Sequence, residues 1–171
     1  MKRLLLTLND SFLFLCVSMY LGTGWSLVLF SFPIAPQLTV DNYYLSFVPQ
    51  VDAATHFFTY MTQVMIAACL IMSVAKWRTR FRWVPIIVLL SVAAATALTI
   101  IVIFPLNHEM SEGIRDPARL RVVLGKWMTL NKVRVGLWTV QWLCMMTYLA
   151  VHLFVADRSD ALDNLATGSR A

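Results

Sequence analysis

Apolar residues in this chain gather into four runs with almost no charge inside them, at residues 12–32, 56–75, 83–104 and 135–155. Each run matches the ~20 residues that an α-helix needs to cross the ~30 Å hydrocarbon core of a bilayer. Lipid offers no hydrogen bonds to a free backbone, so such runs satisfy their amides and carbonyls internally, as helices. A chain of 171 residues has no room to bury four of them in a soluble core. The pattern predicts an all-α protein, a polytopic membrane four-helix bundle forming one domain over residues 1–171.

Polar residues and prolines set the expected boundaries. Asn9, Asp10 and Ser11 offer N-capping oxygens to the first helix, and Pro33 and Pro36 end it. Residues 38–51 mix Tyr43, Tyr44, Phe47 and Val48 with Asp41 and Asn42, too short a stretch to span. They read as an interfacial segment after helix one, lying across the mouth of the bundle. A short turn at 76–82 makes the second and third helices antiparallel neighbours, with Trp77 and Trp83 at the aromatic belt, and the third helix stops at Pro105. Asp116 as N-cap and Pro117 at the first helical position then open an amphipathic helix before helix four. Its apolar residues Leu120, Val123, Leu124, Trp127, Leu130 and Val133 recur at three- and four-residue steps. The tail after Asp157 reads as frayed. Gly22, Gly24 and Ser26, and the small residues of 93–99, suit close helix packing; a groove is the alternative use of the same missing side chains.

Composition agrees with a membrane protein. Hydrophobic residues make up 59% and charged ones 13%, against about 25% charged in soluble domains, and the mean hydropathy is +0.69. The first run is longer than a signal-peptide core and no small-residue cleavage site follows it, so it is expected to be retained as a span. The net charge of +5 reflects helix ends and not nucleic-acid binding. Lys2 and Arg3 precede the first span, Lys76, Arg78, Arg80 and Arg82 crowd the second loop, and residues 33–55 carry no Lys or Arg. The positive-inside rule therefore puts both termini in the cytoplasm, with the protein multi-pass in the plasma (cytoplasmic) membrane. Residues 105–134 conflict, since Arg115, Arg119, Arg121, Lys126, Lys132 and Arg134 would face outward. Reversal is worse, because it would export the denser cluster at 76–82. Cys16, Cys69 and Cys144 all fall within the runs and read as free thiols.

Polar side chains within spans are costly and face the bundle interior. On the second helix His56, Thr59 or Tyr60, and Gln63 share a face; on the fourth, Asn131, Arg134, Trp138 and Gln141 follow i, i+3, i+7, i+10. The third ends at Asn107, His108 and Glu109. Antiparallel alternation gathers all of these in the outer half, predicting a polar pocket floored by residues such as Met65 and Met145. Each has a plainer reading. Arg134 can be a snorkelling anchor, against the sharper reading in which it meets a substrate or a carboxylate such as Glu109; His108 and Glu109 can be a solvated loop, His56 an interfacial histidine, and Gln63 and Gln141 interhelical amides. His152 lies at the opposite end. His56, His108 and Glu109 have the chemistry of metal ligands but no local ligand spacing, and neither metal nor cofactor is expected.

Pro105, Leu106 and Asn107 closing the third span, followed by Trp127, Asn131 and Arg134 as Trp-x3-Asn-x2-Arg, resemble the anthrone-oxygenase-like family of small four-helix membrane proteins. Gly22 and Gly24 in the first span are similar too. The resemblance implies oxidation of a polycyclic anthrone to an anthraquinone with neither metal nor flavin, Asn107, Asn131 and Arg134 holding the substrate oxygen. Proton removal by His108 or Glu109 follows from residue chemistry alone. His56, Gln63, Trp127, Trp138 and Gln141 would line the pocket around a lipophilic aromatic or quinone-like molecule. The rival expectation is a non-catalytic accessory or assembly subunit, its small-residue faces packed on a membrane-protein partner or a second copy. Solute transport is weaker, for want of discontinuous helices.

Overall fold

The computed structural model describes residues 1–168, and their side chains as far as Val155. Four stretches are helical, long and apolar enough to cross a membrane: Lys2–Ser31, Tyr43–Lys76, Trp83–Ser111 and Pro117–Val155. The α-helices are α1 (Lys2–Ser26), α2 (Tyr43–Lys76), α3 (Trp83–Leu98), α4 (Phe104–Ser111) and α5 (Pro117–Gly168). α1 and α3 each pack on both α2 and α5, so α2 and α5 face one another across the diagonal of the bundle. The expected helical bundle is present, and its element boundaries carry the differences.

α1 starts at Lys2, so Asn9, Asp10 and Ser11 sit inside it and cap nothing. Asp10 is buried instead: its Oδ2 accepts a hydrogen bond from the Tyr148 hydroxyl at 2.6 Å and lies 3.4 Å from Lys76 Nζ. Asn9 Nδ2 donates to the Ala68 carbonyl at 3.1 Å. These contacts cross-tie α1, α2 and α5 and favour carrying the helix past its sequence cap. Of the segment 38–51, residues from Tyr43 onward form the first turns of α2, which runs through Pro49. The Tyr43 hydroxyl anchors this end, donating to the Met110 carbonyl and accepting from the Ile114 amide. The amphipathic helix before the fourth span is continuous with it in α5, and Asp116 Oδ1 accepts the Ala118 amide at 2.9 Å, the expected cap. The tail expected to fray stays helical to Gly168; alanine and leucine at 161, 162, 165 and 166 are strong helix formers, and extending a formed helix is easy.

Pro33 ends the first helical stretch as expected, whereas Pro105 does not end the third; each is preceded by a widened π turn, at Leu27–Ser31 and Thr99–Ile103. The Phe32 amide donates to the Leu27 carbonyl at 3.0 Å, five residues back, and the Phe104 amide does the same to Thr99. Proline has no amide, and its ring crowds the carbonyl four residues before it, so the preceding turn opens. Past Pro105 the chain resumes as α4.

The apolar interior has two parts. One, around Leu13, Val17, Met65, Cys69, Met72, Val88 and Met145, fills the half of the bundle that holds the termini. The other, around Tyr43, Ile103, Met110, Leu120, Val123 and Trp127, closes the far end. The 39 helical residues of Pro117–Val155 rise ~58 Å at 1.5 Å each, nearly twice the hydrocarbon thickness. Where α1 meets α5, Gly24 allows the closest approach: a Cβ there would lie 2.6 Å from Trp138 Cε3. Gly22 faces open space.

Candidate functional site

Between the two cores the diagonal pair α2 and α5 leave a cavity of about 450 Å³. Its near end is walled by Tyr20, Met65, Val92 and Trp138, and its far end by Phe47, Ile103 and Trp127. Both π turns border it, through Leu27 and Ser31 on one side and Thr99 and Ile100 on the other. Its size is within the range of small-molecule sites.

Aromatic rings shape the middle of this space. Phe58 of α2 stacks across to Trp138 of α5 with centroids 6.1 Å apart, and Tyr20 of α1 meets both, at 4.6 Å and 4.9 Å. Tyr20 is held by its hydroxyl, 2.6 Å from Thr62 Oγ1 and donating to the Phe58 carbonyl at 3.0 Å. Apolar burial positions the rings, and the α1–α2 hydrogen bonds fix their angle.

Arg134 is the charged residue of the cavity wall. Its Nη1 donates to Thr99 Oγ1 at 3.3 Å, and its guanidinium lies 4.7 Å from the centre of the Trp138 ring. Nε is buried without an acceptor, and no carboxylate pairs with Arg134 among the described residues. Seven residues further along α5, buried Gln141 donates from Nε2 to Ser91 Oγ at 3.4 Å while its Oε1 has no partner. Asn107 lines the far end, its Oδ1 taken by the Trp127 indole N–H at 2.8 Å.

Of the sequence-predicted site residues, Asn107, Arg134, Gln63, Trp127, Trp138 and Gln141 line this one cavity. The other four do not. Asn131 is fully buried behind the wall, its Nδ2 donating to the Trp127 carbonyl at 2.8 Å. His108 is exposed and faces Glu112, the residue that follows its own helix, at 3.3 Å. Glu109 binds Arg119 through both carboxylate oxygens, at 2.5 Å and 2.8 Å, and so is no partner for Arg134. His56 is exposed and off the lining. The π turn and the onward α4 explain why His108 and Glu109 miss the site: the residues after Pro105 wind round a helix, Met110 turns into the far core, and Asn107 is the one that reaches the cavity. Met65 is at the floor as expected, whereas Met145 is buried in the near core.

Thr99, Tyr20 and Phe58 were missed as site residues. Thr99 had one signal, a hydroxyl in the last turns before a helix-distorting proline; the aromatic pair had none beyond hydrophobicity. Among the described residues no three His, Cys, Asp or Glu side chains come together as a metal site. The lining contains a cation, amides, hydroxyls and rings, and neither a carboxylate nor an imidazole. Such a wall can hold a flat apolar molecule and stabilise negative charge on one of its oxygens. No protein-family model matches the chain, and no curated protein or solved structure is significantly similar to it.

Proposed function

We propose that the protein is a multi-pass protein of the plasma membrane, with both termini cytoplasmic, that takes a lipophilic aromatic or quinone-like molecule into this cavity and oxygenates it without a cofactor. One observation carries the reading: the Arg134 guanidinium lies in an aromatic-walled cavity with no carboxylate to neutralise it. A ligand oxygen that becomes anionic completes that site. The resemblance of Pro105, Asn107, Trp127 and Arg134 to anthrone-oxygenase-like proteins supports the same chemistry.

In that reaction the CH2 that lies across the central ring from the carbonyl loses a proton, and the resulting charge is delocalised through the flanking rings onto the carbonyl oxygen. Arg134 stabilises this enolate in a water-poor setting, where a fixed cation acts more strongly than in water. The carbanion carbon adds O₂, giving a hydroperoxide after protonation. Loss of water then leaves the new carbonyl, so anthrone and O₂ become anthraquinone and water. Asn107 Nδ2 and Gln63 are free to donate to ligand oxygens. With His108 and Glu109 engaged elsewhere, the proton passes to water at the open side, and Arg134 acts by making the C–H more acidic.

The test is O₂ consumption and quinone absorbance with the full chain in lipid nanodiscs and an anthrone as substrate. Arg134→Ala is expected to lower turnover about a hundredfold, the scale of a lost oxyanion donor, with the fold retained. Turnover unchanged by Arg134→Ala, or absent in the parent protein, overturns the oxygenase reading. An accessory subunit would instead copurify with a membrane partner and be indifferent to this substitution.

A further inference from the structure

The deep end of the cavity poses a question that Arg134 does not answer: what Gln141 is for. Ser91 of α3 donates its hydroxyl hydrogen to the Leu137 carbonyl at 3.0 Å. Its oxygen is then left only to accept, and Gln141 Nε2 donates to it at 3.4 Å. This chain fixes the orientation of the amide, because turning it over would set its carbonyl against an oxygen with no hydrogen to give. Gln141 Oε1 is therefore an acceptor, in a residue only 1% exposed, on the cavity wall and without a partner. A buried carbonyl of this kind is costly unless something donates to it.

We infer that the site recognises its ligand at two points, an acidic oxygen held by Arg134 and a hydroxyl that donates to Gln141 Oε1. The two residues are seven apart on one face of α5, which sets them ~10 Å apart along the axis. Helical side chains lean the same way, toward the N-terminus, so the spacing of the backbone carries over to the polar tips. Trp138 lies between them and Phe58 and Tyr20 lie across from it, a bed for fused rings joining the two groups. The polarity is directional: arginine only donates, and the free Gln141 atom only accepts. A fatty acid satisfies Arg134 alone. A quinone has acceptors only and leaves Gln141 unpaired, whereas a hydroxylated aromatic acid, a hydroxyanthrone or a hydroquinone-like enol satisfies both ends.

The inference rests on the proposed ligand cavity and refines what enters it, so the test separates the two. The full chain in nanodiscs is titrated with three probes: a naphthoic acid bearing a hydroxyl on the far ring, the same acid without it, and its methyl ether. Quenching of tryptophan fluorescence reports binding. The parent protein is expected to bind the hydroxy acid about three- to tenfold more tightly than either of the others, the range of one net hydrogen bond. Gln141→Met, close in volume and unable to accept, is expected to abolish that preference while still binding the unsubstituted acid. Arg134→Gln is expected to weaken all three acids and keep their ratio. Equal binding of hydroxy acid and ether by the parent protein overturns the inference and leaves the cavity reading standing, as does a preference that persists in Gln141→Met. If none of the acids binds the parent protein, both fall.

Discussion

An arginine in the wall of a membrane bundle is costly unless its charge is met. Arg134 receives one hydroxyl and the face of one indole, which orient the guanidinium and do not neutralise it. Asp10, at the end of the bundle that holds the termini, is the opposite case: buried, and met by both Lys76 and Tyr148. That contrast separates a site from a brace. Asp10→Ala leaves Lys76 half-buried and the Tyr148 hydroxyl buried, both without their carboxylate partner, and is expected to cost about 3 kcal/mol, read as a fall in thermal midpoint in detergent. Asp10→Asn, which keeps an acceptor for Tyr148, should lose less. The glycines divide in the same way. Gly24→Ala places a Cβ 2.6 Å from Trp138 Cε3 and 2.8 Å from Val135 Cγ2, and should cost about 1–3 kcal/mol by overpacking. Gly22→Ala meets nothing and should leave the midpoint unchanged. Sequence spacing marked Gly22, Gly24 and Ser26 as one small patch, because periodicity identifies a face and not which of its residues a partner approaches. For the same reason Arg134, Trp138 and Gln141 were legible as one stripe, while Asn131 at its end faces away from the cavity.

Among the elements, the turns before Pro33 and Pro105 matter most. Proline marked both places in the sequence, and the expectation that a helix ends there follows from its missing amide. Whether a helix stops or continues past proline depends on what holds the next turns. Here Met110 and Ile114 hold α4 through Tyr43, so the chain widens into a π turn and carries on. The widening brings Thr99 to Arg134 and Asn107 to the cavity, a placement that local sequence cannot encode. A π turn adds one residue to an α-helix, so deleting exposed Ile101 should restore regular winding while α4 keeps its register. The expected product is a monodisperse, folded protein whose affinity for an aromatic acid falls about tenfold, through loss of the Thr99 support and narrowing of the cavity. Unchanged affinity, measured by the same fluorescence titration, would show that the π turn does not shape the site.

For the whole molecule the question is which way the cavity faces. The loop cluster of Lys76, Arg78, Arg80 and Arg82 argues for termini inside, and the basic stretch 105–134 argues against it. The fold weakens the second argument. Arg119 is paired bidentately with Glu109, and Arg134 is turned into the cavity, so neither is a free charge of the loop surface. Arg121, Lys126 and Lys132 lie on α5 ahead of the fourth apolar run, in a helix longer than a bilayer core requires. By contrast Arg78, Arg80 and Arg82 sit exposed in a tight turn next to the outward-facing rings of Trp77 and Trp83, the arrangement that the positive-inside rule expects of a cytoplasmic turn. Thiol labelling reads the orientation directly, since Cys16 and Cys69 are buried and Cys144 half-buried, giving a low background. In intact cells a membrane-impermeant maleimide should label Glu112→Cys at once and Arg78→Cys only after permeabilisation. The reverse pattern would place the far core in the cytoplasm, and ligand would then reach Arg134 from the cell interior. With the expected pattern the cavity lies toward the outer leaflet, and an aromatic acid dissolved there reaches it without crossing the core around Met65 and Met145.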